Sequence, residues 1–150
     1  EIAEESAPNI KFMVFGDGPY RAQLSHHPNV EYIGTISHNQ LNNWLSKVQI
    51  VLFFQKERGR AEIEAMAAGK TLVGCNSGEM PLFIRHKKNG WLCEPNEQSY
   101  IEALKYLSEN RDMLEKISCE ARKTSARNFA WEIIGKKWKL LCGRVIDTYV

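Results

Sequence analysis

No stretch of this chain stays apolar for the ~18 residues that a membrane-spanning helix needs. The first residues, EIAEESAP, are acidic and polar, which is not how a secretory leader reads. Closely spaced cysteine pairs are missing as well. Cys75, Cys93, Cys119 and Cys142 stand far apart, so neither a disulfide framework nor a zinc ribbon is expected. Cys75 and Cys93 fall in apolar runs, where a buried reduced thiol fits, and a cytoplasmic location is expected. Strong charge of one sign is also lacking. Lysine and arginine number 20 against 18 acidic residues, a net charge of +2, so composition does not call for nucleic acid. His26, His27, His38 and His86 keep no ligand spacing with cysteines or carboxylates, and no metal is expected. Repeats, low-complexity segments and linkers are absent too. What remains is 150 residues, 43% hydrophobic, enough for one domain with a sizeable core.

Two nucleotide motifs are excluded by what they lack. G-x-x-x-x-G-K-[ST] does not occur, so there is no P-loop. Gly16-Asp17-Gly18 begins like a dinucleotide fingerprint, but Arg21 stands where the third glycine belongs, which argues against NAD or FAD. A phosphorylation receiver would place carboxylates at strand ends that here carry glycines.

Short apolar runs alternate with helical patterns. Strands are expected at Ile10–Phe15, Val30–Ile33, Gln49–Phe54, Thr71–Cys75 and Trp91–Cys93. The third is apolar on both faces, as at the centre of a parallel sheet. Residues 1–7 read as the end of a helix that Pro8-Asn9 breaks, and Tyr20–Ser25 as a short helix before a turn at His26-His27-Pro28-Asn29. Ser37 suits the N-cap of a helix burying Leu41, Trp44, Leu45 and Val48. Gly69 suits the C′ stop of the helix after the third strand. Leu82–Arg85 reads as a short helix, and 97–109, 111–127 and 130–147 are purely helical. The fold class is therefore α/β, a Rossmann-like parallel sheet with helices on both faces.

Gly16, Gly18, Gly34, Gly59 and Gly78 all follow carboxyl ends of strands, the edge at which such sheets bind ligands. The stretch Gln55–Lys70, QKERGRAEIEAMAAGK, joins a charged turn to a helix carrying Ala61, Glu64, Ala65 and Ala68 on one face. Basic side chains before a helix N-terminus make a site for an anion. An ordinary crossover with a solvated turn has the same pattern.

GDGP after a strand, then YIGTIS, EAMAAGKTLVGC, GEMP and NGWLCEP, resemble the group-1 glycosyltransferases, retaining enzymes of the GT-B fold that use nucleotide sugars. The similarity covers their carboxyl-terminal, donor-binding domain. It implies that Glu64 is the second glutamate of the family's E-x7-E motif and bonds the donor ribose. It places Gly59, Arg60 and Ala61 at the diphosphate, Gly34, Thr35 and Ile36 at the base, and Gly16, Gly18 and Gly78 in glycine loops beside the nucleotide. No cofactor is implied, because the nucleotide sugar is the substrate and no metal is required. Lys56, Arg58 and Arg60 are the candidate cations for the leaving diphosphate, with Arg60 favoured as catalytic.

The departures are local. Lys56 occupies the place of the first motif glutamate, which contacts the transferred sugar in the family. Glu57 is one position off and would serve only in a turn shortened by one residue. Where the family reads Gly-Gly-x-Pro-Glu, this chain has Gly78-Glu79-Met80-Pro81-Leu82. The resemblance also implies one more strand, between those at 10–15 and 49–54, and an amino-terminal acceptor domain, so that 1–150 is a partial donor domain expected to be inactive alone. The terminal helix carries Trp131, Ile134, Trp138, Leu141 and Val145 on a stripe expected to be mainly core. In relatives this helix, at 130–150, packs on the amino-terminal domain. A basic amphipathic helix also suits a membrane surface or a lipid-linked acceptor. The alternative to an enzyme is a non-catalytic module binding a nucleotide or a partner.

Overall fold

The alternation of apolar runs with helical patterns folds into parallel strands wrapped by helices. A computed structural model describes residues 10–24, 28–57 and 59–149. The expected helix end at 1–7, the break at Pro8-Asn9, His26, His27, Arg58 and the Val145 side chain lie outside the described residues. In chain order the elements are β1 (Phe12–Phe15), α1 (Arg21–Leu24), β2 (Val30–Gly34), a 3-10 turn (His38–Gln40), α2 (Leu41–Leu45), β3 (Ile50–Phe53), α3 (Arg60–Ala67), β4 (Thr71–Cys75), α4 (Met80–Phe83), β5 (Trp91–Cys93), α5 (Glu97–Glu109), α6 (Arg111–Phe129) and α7 (Trp131–Tyr149).

All strand pairs are parallel, but they form two sheets, β1–β2 and β3–β4–β5. Among the described residues β3 pairs with β4 alone and β1 with β2 alone, so the two sheets are not joined by strand pairing. The burial pattern follows. Every residue of β4 is buried, whereas all of β3, apolar on both faces, is only half-buried.

Alternation along β4 sends neighbouring residues to opposite faces. Leu72 packs with Ala65 and Met66 of α3, Met80 and Phe83 of α4, and Ala121 of α6. Val73 packs with Tyr100, Ala103 and Leu107 of α5 and with Leu114 and Ile117 of α6. Helices thus cover both faces of the three-stranded sheet. Complete burial of a side chain such as Leu107 or Ile117 stabilises by about 1.5–3 kcal/mol. Thr71, also inside, donates to the Leu114 carbonyl at 3.2 Å.

Local signals set the ends of the elements. Asn96 caps α5 by accepting from the Ser99 N–H at 2.9 Å. Gly69, at φ +69°, ends α3 as expected of a C′ residue. The helix expected after Ser37 begins as the 3-10 turn instead, with the Ser37 N–H donating to Gln40 Oε1 at 3.1 Å.

The terminal helix requires a correction. Trp131 (86% exposed), Trp138 (61%) and Leu141 (53%) stand in solvent, and Ile134 is only half-buried. The stripe therefore does not enter the core of this chain. Periodicity identifies an apolar face but not what covers it. No helix among the described residues is long and apolar enough to cross a membrane.

Candidate functional site

The loops following β1, β2, β3 and β4 all leave from the carboxyl edge of parallel strands, and the structure ties them in pairs. The Gly16 N–H donates to the Gly34 carbonyl at 2.9 Å, joining the first two loops. Gly16 (φ +113°) and Gly34 (φ +80°) both have the left-handed backbone that disfavours a side chain. The Tyr32 hydroxyl lies against this junction, within 2.6 Å of the Gly16 carbonyl and 3.2 Å of Asp17 Oδ1. The Gly18 N–H donates to the same Asp17 oxygen at 2.9 Å. Partial burial, then the Asp17 carboxylate, raises the Tyr32 phenol above its ordinary value. Arg21 stacks over its ring at 5.2 Å.

The second pair joins the loops after β3 and β4. The Glu79 N–H donates to the Lys56 carbonyl at 2.8 Å. Gly78, at φ +62°, lies so close that an added Cβ would collide with the Lys56 backbone and with its Cβ. Lys56 is thus the turn residue lying against the Gly78 loop, and Glu57 is exposed to solvent. Lys56 and Glu79, two of the positions at which the chain departs from the family pattern, are neighbours in space.

At the start of α3, Arg60 and Ala61 are exposed. The Gly59 N–H is directed to Glu62 Oε2 at 3.0 Å, which leaves Arg60 and Ala61 to present the start of the helix to solvent. Glu64, one turn further on, keeps a side chain that is 32% exposed, and its Oε1 lies 3.7 Å from His38 Nδ1. His38 follows Thr35 and Ile36 in the loop after β2, of which Thr35 is exposed and Ile36 half-buried. This contact brings the loop expected at the base next to the carboxylate expected at the ribose. Among the described residues no three His, Cys, Asp or Glu side chains are grouped as a metal site would need.

Three of the residues that organise these loops escape notice in the sequence. Glu62 is three residues after Gly59, the spacing of a capping box, and that signal was there to be read. Tyr32 and His38 carry no comparable local signal, because their partners are distant in the chain. Tyr100 adds a further tie. Its hydroxyl donates to the Phe53 carbonyl at 3.0 Å, and its ring packs on Phe54 at 4.8 Å, fixing the point where β3 enters the Gln55 turn. Burial raises the Tyr100 phenol far above its ordinary value.

Comparison with known proteins supplies the family. The structure superposes on HepE of Anabaena, crystallised with UDP and glucose, with a TM-score of 0.82 at 18% identity, over 95% of this chain and 43% of that one. Sucrose-phosphate synthase of Thermosynechococcus elongatus gives 0.85 at 18% identity, over 97% and 41%. Spore coat protein SA of Bacillus subtilis is 28% identical over 85 residues, 55% of this chain and 22% of that protein. The chain spans less than half the length of each. The structural likenesses establish the fold, a GT-B Rossmann-like domain. The model of the family described as Glycosyl transferases group 1 matches residues 1–124, and the chain belongs to that family.

Proposed function

We propose that this chain is the donor-binding part of a retaining glycosyltransferase that transfers a sugar from a UDP- or GDP-sugar to an acceptor hydroxyl. The observation that carries this assignment is the approach of Glu64 to His38. It sets a half-exposed carboxylate beside the loop after β2, one turn into the helix that starts at Arg60. Ribose hydroxyls suit the carboxylate, which accepts from two neighbouring donors. A diphosphate suits the start of α3, where exposed amides, the helix dipole and Arg60 favour negative charge. As the glycosidic bond breaks, charge develops on the departing diphosphate, and Arg60 and the helix start are placed to stabilise it. HepE, with the same fold, was crystallised with UDP and glucose, which supports a nucleotide-sugar ligand for this chain.

The edges of β1 and β3 that are unpaired among the described residues support one further strand between them, and the exposed stripe of α7 supports an amino-terminal acceptor domain as its cover. A membrane surface bearing a lipid-linked acceptor is the other surface that this stripe and its lysines fit. Lys56 against Gly78, where the family pattern has a glutamate, favours a second assignment: a nucleotide-binding module without turnover. Titration with UDP, GDP and ADP, and with their sugars, tests ligand binding. Glu64→Ala is expected to weaken the preferred nucleotide at least tenfold; unchanged binding defeats both assignments. Restoring upstream residues and assaying sugar transfer separates them, since a longer chain that binds tightly without turnover supports the module. The 150 residues alone are expected to bind weakly and transfer nothing.

A further inference from the structure

Among the described residues Glu62 is the one buried acidic side chain, with 0% exposure. A carboxylate out of water is costly unless hydrogen bonds satisfy it. Here both oxygens are used. Oε1 accepts from Gln55 Nε2 at 2.6 Å and Oε2 from the Gly59 N–H at 3.0 Å. These two donors lie on either side of Lys56 and Glu57, and Gly59 leads directly into α3. A Cβ added at Gly59 would come within 3.0 Å of Glu62 Oε2, so the glycine leaves room for the carboxylate to close on the backbone. Lys56 is held in addition by the Glu79 N–H on its carbonyl and by the close approach of Gly78.

Backbone tied at Lys56 and Gly59 has less freedom left to lose when an anion arrives, which lowers the ordering cost of binding. We propose that Glu62 is a positioning residue for the sugar donor: its carboxylate clamps Gln55 to Gly59 at the start of α3, so that the helix start meets the diphosphate already formed. The inference rests on the donor-site assignment above and deepens it. Glu62 is too buried to touch the ligand and acts through Gln55 and Gly59. An apolar residue of similar size would fill the same space and leave both donors without partners.

The test compares nucleoside diphosphates with their nucleosides, because only the former reach the start of α3. UDP, GDP and ADP, with uridine, guanosine and adenosine, are titrated against the full chain by calorimetry, and the pair that binds best is followed. Glu62→Ala is expected to weaken the diphosphate roughly tenfold while leaving the nucleoside within twofold. Glu62→Gln is expected to restore most of the loss, because its carbonyl can accept from Gly59 while Gln55 reverses its amide. Gln55→Ala removes half of the clamp without touching the core and is expected to show the same split, smaller in size. It keeps the inference falsifiable if Glu62→Ala does not fold. Diphosphate and nucleoside weakened in equal proportion, or both unchanged, would overturn the inference. If Glu64→Ala weakens both ligands while Glu62→Ala weakens neither, only the clamp fails. If wild type binds none of the diphosphates, the donor assignment fails and the clamp with it.

Discussion

β3 and β4 lie side by side in one sheet and are almost equally apolar, yet β4 is buried at every position and β3 at none. The difference lies in their flanks. β4 has a strand on each side and helices over both faces, whereas among the described residues β3 has a partner on one side only. The contrast extends to the two sheets as wholes. β3–β4–β5 has α3, α5 and α6 and two buried clusters. β1–β2 has no fully buried strand residue. It joins the rest through α2, whose Leu45 enters the larger unit's core and whose Trp44 meets Phe15 at 5.6 Å. The candidate site draws on both, with Glu64, Arg60 and Gly78 from one and Gly16, Gly34 and His38 from the other. A nucleotide bound there would bridge a firm unit and a loosely covered one.

The largest effect should come from the core of the firm unit. Ile117→Ala, at a position with 0% exposure, is expected to cost about 2–5 kcal/mol in urea unfolding. Val14→Ala in half-buried β1 is expected to cost about 1 kcal/mol. Equal costs would erase the contrast between the two sheets. Next come the loop glycines. Gly78→Ala forces a side chain into the Lys56 backbone at φ +62°, and about 1–3 kcal/mol of strain is expected. Gly18→Ala meets nothing within 4 Å and should leave the melting temperature unchanged. A tolerated Gly78→Ala would contradict the tie between the third and fourth loops.

Smaller still is Tyr32→Phe, which removes the hydroxyl from Gly16 and Asp17 and should lower the unfolding midpoint slightly, read from the same unfolding curves. No change would show that the Tyr32 hydroxyl does not hold the first loop. The smallest effect concerns His86, on the outer side of the firm unit. Burial, and then Lys87, lower its pKa from 6.5, while its Nδ1 accepts from the Leu92 N–H at 3.1 Å. The unfolded chain therefore takes up the proton more readily. This contribution is complete above about pH 6.5 and is lost as pH falls toward the lower folded value. His86→Gln should flatten the slope of stability below pH 6.5, and an unaltered slope would refute the contribution.

Much of this architecture is legible in the chain. Strand-like runs at 71–75 and 91–93, the stop at Gly69 and the turn glycines at 16, 34 and 78 follow from local chemistry that acts within a few residues. The division into two sheets does not, because apolar alternation says that a strand wants cover and not which strand pairs with it. For the same reason the stripe of Trp131, Trp138 and Leu141 reads as core in the sequence and stands exposed in the structure. Glu64 drew attention through its neighbours. Glu62, two residues earlier, is marked in the sequence only by its capping-box spacing from Gly59; its burial and its bond to Gln55 are not legible there.

That the two units together make one nucleotide site is tested most directly by amide hydrogen exchange with and without a saturating nucleoside diphosphate. Slowed exchange is predicted both at Gly34–Ile36 after β2 and at Arg60–Glu64 in α3, at the same ligand concentration. Protection confined to one of the two segments, or absent from both while the ligand is bound, would contradict the account.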